Sequence, residues 1–394
     1  MLRVHEGPSL LAWIKDGPSL AAHRARFGEL PTWPRAQLLR MAEPIVGRGG
    51  AGFPLARKLA AVANAKRLVV VVNWSEGEPG SHKDAALARV RPHLVLDGAE
   101  LIAQAWRTDK IHLVLPSEQP KVVESVRAAV AERPRSERYR LHFADDRFVA
   151  GQARAVLELM GGRPNLPVTA WQPEAYSGHR NRPTLLSNAE TWAQLAMHVL
   201  RPDAERSTLL TFGGESNEPE VSEARTSSRW SSVLPTEWLD DPAKPVLLGG
   251  YHGQWTTVGR LASLPVEHSA MRAAGIPLGA GVVLDLPHGE CPMTMTARIT
   301  NYLAEQSAGR CGPCFNGLPA LAAAMSALAA GDRHQRARVE ELCGLVVGRG
   351  ACAHPDGTAR LVRSLLTVFP VEVAGHALGQ CRTELTDEGK VGVA

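Results

Sequence analysis

With 394 residues, 44% of them hydrophobic and 21% charged, the chain has the make-up of a globular protein of two or three domains with a sizeable core. A formal charge of +4 spread over scattered Lys and Arg residues argues against a nucleic-acid partner. The opening stretch MLRVHEGPSLLAWIKDGPSL breaks its apolar residues with Glu6, Lys15 and Asp16, so neither a signal-peptide core nor direct membrane insertion is expected, and the expected compartment is the cytoplasm.

The first feature along the chain is VGRGGAGFP, Val46 to Pro54, in which Gly47, Gly49, Gly50 and Gly52 surround Arg48. Glycine lets backbone N–H groups approach a phosphate or a flat ring, and the arginine adds charge. The stretch is neither a dinucleotide fingerprint nor a P-loop, so taken alone it reads equally well as a flexible loop. Next, KRLVVVVNWSEGEPG predicts a buried strand at Leu68–Val72 running into a Gly-rich loop. A helix at about Pro92–Trp106, a strand at IHLVLP, a helix from Lys121 to about Glu132 and a strand at YRLHFA follow, an alternation that predicts an α/β sheet. Ligands of open α/β sheets sit at the C-terminal ends of strands, where NWSEGEPGSHKD falls. There Asn73 offers a donor and an acceptor to a heterocycle edge, and Glu76 and Glu78 suit ribose hydroxyls or the tuning of a redox ring. The competing reading is a solvated acidic turn at Pro79-Gly80.

From 213 to 245 the sequence turns polar and reads as a linker or exposed loop. PVLLGGYHGQWTTVGRLASLPV and LGAGVVLDLP then predict strands around Gly turns, and from about Thr294 the chain is helical. The expected division is residues 1–207, 208–288 and 289–394. All six cysteines fall in the last 104 positions, which points to metal or redox chemistry sooner than to structural disulfides. Cys311 and Cys314, in QSAGRCGPCFNGL, spell a thioredoxin-like dithiol, yet helical stripes flank them on both sides where that motif needs a preceding strand. With Cys352, in the Gly-flanked turn VGRGACAHPDG, they suit an iron–sulfur cluster, with zinc as the alternative. Cys343 shares an apolar stripe with Val339, Leu342 and Val346 and reads as a small buried hydrophobe, and Cys381 as spare.

Taken in order, GRGGAGFP, NWSEGEPGSHKD, LSNAETWAQLA, SAGRCGPCFNG and GRGACAHPDG resemble the flavin- and NADH-binding 51 kDa subunit of respiratory complex I and its relatives in soluble hydrogenases and formate dehydrogenases, over roughly residues 40 to 370. The resemblance implies an α/β domain binding FMN through Gly47, Arg48, Gly49, Gly50, Gly52, Asn73, Asn188 and Thr191, with Phe53 and Lys58 at the nucleotide entrance and Glu76 and Glu78 beside the flavin. It also implies a small β-grasp-like domain and a C-terminal helical bundle carrying one [4Fe-4S] cluster. Three departures stand out: Ala308 replaces the first cluster cysteine, Ala61 replaces an aromatic residue, and GQAR (Gly151–Arg154) replaces the family's Gly-Glu-Glu. With the acidic pair gone and Arg154 present, preference is expected to relax from NADH toward NADPH.

The expected activity is therefore hydride transfer from NADH or NADPH to FMN, followed by single-electron transfer through the cluster to a ferredoxin or another redox subunit, within a multi-subunit complex. The rivals are a non-catalytic electron-transfer or assembly subunit and a zinc-stabilised binding module. To complete the cluster, Cys291 is expected as fourth ligand, because Pro292 ends strand pairing there and frees the thiol to turn inward.

Overall fold

The computed structural model describes residues 2–214, 217–287 and 289–381. Its strands in chain order are β1 (Arg3–Val4), β2 (Val69–Asn73), β3 (Ile111–Pro116), β4 (Tyr139–Ala144), β5 (Thr184–Asn188), β6 (Ser207–Gly214), β7 (Asn217–Arg225), β8 (Pro245–Leu248), β9 (Gln254–Thr257) and β10 (Val282–Leu284). The continuous apolar run before Asn73 becomes β2. All of β2 is buried, because it has parallel neighbours on both sides and apolar cores on both faces. Val70 and Val72 enter a large core with Leu94, Ile102 and Trp192, while Val69 and Val71 face Val156 and Met160. The Trp192 indole N–H, donating to the carbonyls of Val71 (3.2 Å) and Ser187 (3.1 Å), ties the Ala189–Leu200 helix to this sheet.

The parallel sheet has the order β4-β3-β2-β5. From β2 the chain moves outward to β3 and β4, then returns to lay β5 on the other side of β2. That reversal creates a crevice at the C-terminal ends of β2 and β5, the place where doubly wound sheets hold ligands. The register sets Asn73 directly beside Asn188 there.

A second, mixed sheet has the order β1-β7-β6-β10-β8-β9. Here the expectation of a linker over 213–245 is corrected, since Asn217–Arg225 forms a full strand paired with β6 and β1. The sequence hides it because its few apolar residues are divided between two cores: Val221 joins the large core and Ala224 the one formed with Trp230 and Met271. Between them the Glu223 carboxylate accepts the N–H groups of Ser9 (3.1 Å), Leu10 (2.7 Å) and Leu11 (2.9 Å), so a charged residue here anchors the N-terminal segment.

The helices Pro292–Glu305, Leu318–Ala329, Gln335–Val346, His354–Val368 and Pro370–His376 pack on the second sheet through Leu247, Trp255, Val282 and Leu284. Trp255 donates its indole N–H to Thr296 Oγ1 at 2.7 Å, which fixes the first of these helices. Phe148 and Val149, from the loop after β4, enter the same core and so join the parallel-sheet domain to the helices. Cys343 is fully buried in its stripe with Val339, Leu342 and Val346, as its spacing indicates. Among the described residues no helix is long and apolar enough to cross a membrane.

Candidate functional site

The Gly-rich loop closes on itself, with a bridge between Val46 and Pro54 and the Gly47 N–H donating to the Phe53 carbonyl at 2.9 Å. Gly50 (φ +92°) and Gly52 (φ +61°) both take the left-handed conformation. A β-carbon on Gly50 would meet no atom within 4 Å, so the loop there presents bare backbone to open space. The loop lies over the end of β5, since the β-carbon position of Gly49 is 3.7 Å from Asn188 Cβ. Bare backbone beside the switch-point crevice is the cradle that a flat ring or phosphate requires, and FMN fits it. Phe53 is 46% exposed at the loop's end. Lys58 turns under it, donating to the Leu186 carbonyl at 2.8 Å with Glu174 at 3.8 Å, and burial lowers its pKa.

Arg48 corrects the sequence reading. Its guanidinium is buried, with Nε 3.2 Å from both oxygens of Glu190, and it also donates to the carbonyls of Gly279 (3.3 Å) and Leu209 (3.4 Å). All of this side chain's reach is used inside the protein, so its charge is not offered to a phosphate. Its backbone N–H donates to Thr191 Oγ1 at 3.0 Å, which pins the loop to the first turn of the Ala189–Leu200 helix. Asn188 caps that helix, accepting from Glu190 N (3.0 Å) and Lys83 Nζ (3.0 Å) and donating to Asp84.

Beneath the crevice lies a buried charge network that sequence reasoning missed, although its members stand inside the quoted motifs. Lys83 Nζ is 2.7 Å from Asp84, 3.8 Å from Glu76 and 3.9 Å from Glu190. Burial works against the Lys83 ammonium, but the three carboxylates together hold its pKa above the ordinary lysine value. Burial pushes Asp84 up to about 7 against the pull of Lys83. Glu76 accepts from Ser81 Oγ (2.6 Å) and from the N–H groups of Asp84 (3.0 Å) and Ala85 (3.2 Å), which stabilises the start of the Lys83–Val90 helix. The Lys-Asp pair, separated by two residues from the Pro79-Gly80 turn, is the signal available in sequence, but nothing there indicates its burial.

Glu78 accepts the Tyr251 N–H at 2.9 Å, and burial raises its pKa from 4.5 to about 8. A carboxyl whose folded pKa lies above its unfolded value is tolerated when protonated and costs stability once ionised. The advantage in melting temperature of Glu78→Gln over wild type should therefore widen as pH rises from 4.5 to about 8 and then level off. An advantage independent of pH in that window would show that Glu78 does not titrate there.

Asn73 donates to the Gly151 carbonyl at 2.8 Å and accepts Ser75 N–H at 3.1 Å. The next residue, Gln152, neighbours Cys352 and, against burial, works to lower its thiol pKa. Cys352, Cys311 and Cys314 come together: burial, then the neighbouring Cys311 and Cys352 sulfurs, push the Cys314 thiol up to about 12, and burial also raises Cys352. The Pro313–Gly317 segment forms a wide π-turn, and the nearby Ala308 N–H offsets part of that rise at Cys314. Three converging sulfurs fit three of the four thiolate positions of a four-iron cluster, and a bound cation would convert such thiols to thiolates. His354 cannot complete the set, since its ring nitrogens are engaged by the Leu303 carbonyl (2.7 Å) and His252 (3.0 Å).

Cys291 does not complete it either, and that expectation is corrected. It caps the N-terminus of the Pro292–Glu305 helix, whereas Cys311 follows the C-terminus, and a helix of 14 residues separates its ends by roughly 20 Å. Its sulfur instead lies 3.2 Å from His376 Nε2. Arg154 is likewise drawn inward, donating to the carbonyls of Ser177 (3.2 Å) and Gln172, so the guanidinium expected to accommodate a 2′-phosphate braces the 172–177 loop.

A Gly loop over a switch-point crevice, with Cys311, Cys314 and Cys352 gathered nearby, defines a flavin- and iron–sulfur-binding protein. The sequence matches the Nuo51 FMN-binding domain over residues 42–197 and the iron–sulfur binding region of NADH-ubiquinone oxidoreductase-F over residues 294–376. In both regions the chain is similar to this 51 kDa flavoprotein family. It is 25% identical over 399 residues to the second NADH-quinone oxidoreductase F protein of Rhizobium meliloti (strain 1021), covering 93% of this chain and 94% of that one. To the NADH-quinone oxidoreductase F protein of Escherichia coli (strain K12) it is 25% identical over 368 residues, 83% and 80% of the two chains. A chain of an NAD+-reducing [NiFe]-hydrogenase in the air-oxidized state shares the fold, with a TM-score of 0.81 at 23% identity over 95% of this chain and 67% of that one.

Proposed function

We propose that the protein oxidises NADH or NADPH with bound FMN and passes the electrons singly through a [4Fe-4S] cluster to a protein acceptor. The observation that carries this reading is the closeness of the two sites: Asn73, at the strand end in the flavin crevice, bonds Gly151, and the next residue, Gln152, neighbours the Cys352 thiol. FMN supplies the change from two-electron to one-electron chemistry, and the cluster supplies single-electron transfer. The chain's own residues bind and orient. Gly47, Gly49, Gly50 and Gly52 offer backbone to the flavin, Asn73 and Asn188 fix the two strand ends beneath it, and Arg48 and Thr191 hold the loop in place. Phe53 and Lys58 border the nucleotide entrance, and Glu76 and Glu78 place carboxylates beside the crevice.

Cys311, Cys314 and Cys352 hold the cluster, and the fourth iron takes a ligand that is not cysteine. The acceptor is taken as a redox protein, a ferredoxin or another subunit of a complex. The second sheet is taken as the β-grasp-like domain of this architecture and the compartment as cytoplasmic.

Anaerobic stopped-flow mixing with NADH and with NADPH tests the reading. Flavin bleaching should be followed by a cluster EPR signal. Cys352→Ala should retain flavin bleaching and lose most iron, while Cys291→Ala should keep the EPR signal. Bound flavin that neither nucleotide reduces would instead establish a non-catalytic role.

A further inference from the structure

At the opposite end of the Pro292–Glu305 helix from Cys311, four side chains of three chemical kinds converge from three stretches of the chain. Cys291 caps the Pro292–Glu305 helix, Glu372 and His376 lie one turn apart on the Pro370–His376 helix, and Cys381 follows that helix. The Cys291 sulfur is 3.2 Å from His376 Nε2, which is 3.2 Å from Glu372 Oε1, and Oε1 is 3.8 Å from the Cys381 sulfur. The four donor atoms all lie within 4.8 Å of one another. A tetrahedral zinc ion with bonds of about 2.0–2.3 Å holds its donors roughly 3.3–3.8 Å apart, so small adjustments would seat one among them.

The surroundings suit a metal better than a catalytic thiol. His376 directs its other nitrogen, Nδ1, to the Ala329 carbonyl at 2.8 Å, the outer bond that orients a metal-ligating imidazole and leaves Nε2 facing the sulfurs. Cys291 is only 1% exposed and His376 only 5%, which leaves no space for a substrate at the sulfur. With two thiols, the site lacks the sulfur ligands of an iron–sulfur cluster but matches the mixed sulfur, nitrogen and oxygen set favoured by zinc.

We infer that Cys291, Glu372, His376 and Cys381 form a structural site for a zinc-class divalent cation, which clamps the last helix to the start of the first helix of the bundle. Binding displaces the thiol protons, and the ion carries no redox load. The site is independent of flavin and cluster, so its test separates from theirs. Protein purified anaerobically with its flavin and iron, equilibrated with Zn²⁺ and desalted, should hold about one zinc per chain by elemental analysis. His376→Gln and Cys381→Ser should each reduce zinc about tenfold while leaving iron and flavin per chain unchanged. Cys352→Ala should do the reverse, losing iron and keeping zinc. Should the variants fold poorly, absorption at the zinc K-edge of wild-type protein decides, with two sulfurs expected at about 2.3 Å and nitrogen and oxygen at about 2.0 Å. Wild type without zinc, zinc lost with Cys352, or a Cys291–Cys381 disulfide in the peptide map would each overturn the assignment.

Discussion

Gly50→Val purifies folded and nearly free of flavin. Gly50 has φ +92°, a region that a β-branched residue occupies only under strain, here about 1–3 kcal/mol. The folded protein without flavin pays little for the new side chain itself, because the added atoms meet nothing within 4 Å. The strain falls on the shape of the loop, which must stay fixed for its backbone to meet the cofactor, and it lowers affinity by about 5- to 150-fold. Gly28→Val is the control, since Gly28 also has positive φ (+76°) and open surroundings but lies in a different loop. Flavin released on denaturation, counted per chain, should fall in the Gly50 variant and stay at wild-type level in the Gly28 variant, with both showing a native circular dichroism spectrum. Equal flavin in wild type and Gly50→Val would remove the Gly loop from the cofactor site, and wild type without flavin would remove the cofactor.

The parallel sheet was legible because each of its elements carries a local signal. The Val69–Asn73 strand is an unbroken apolar run, and the helices after it repeat with helical spacing. From such signals the C-terminal edge of β2 follows as the ligand face, and with it Asn73. The second sheet was less legible because β7 divides two apolar residues between two cores and carries a half-buried glutamate between them, so its composition is that of a loop. In the cysteine region, motif order led to Cys311, Cys314 and Cys352, whose convergence follows from short loops at one end of the bundle. Cys291 misled because proximity was judged along the chain, where only a helix separates it from Cys311, and a helix is a spacer as well as a link. Glu372 and His376 did carry a signal, an i,i+4 pair of ligand-type residues on one helix face, but its partners come from positions about 80 residues upstream and 5 downstream and take shape only in the fold.

Arg48 shows the same limit at the flavin loop and yields the largest stability effect. In sequence, an arginine among glycines beside a crevice resembles a phosphate ligand, and the difference lies in its surroundings. Its guanidinium faces Glu190, whose carboxylate is entirely buried and also accepts Leu209 N–H (3.0 Å), Thr208 Oγ1 (3.2 Å) and Gln194 Nε2 (3.1 Å). Arg48→Ala leaves that carboxylate with Lys83, 3.9 Å away, as its nearest cation, itself shared with Asp84 and Glu76. Removing one partner of a buried pair typically costs about 3–5 kcal/mol, because the remaining charge has lost its compensation in a medium of low dielectric. The urea midpoint of flavin-free protein should fall accordingly. Replacing both partners, as Arg48→Met with Glu190→Gln, should recover most of the loss, since neutral residues of similar volume remove the unpaired charge and Gln still accepts the Leu209 N–H. The two outcomes distinguish a pillar from a ligand. If Arg48→Ala kept the wild-type urea midpoint and lost only its affinity for FMN, the guanidinium would be turning toward the phosphate in solution, and the buried pair with Glu190 would not be the state that binds.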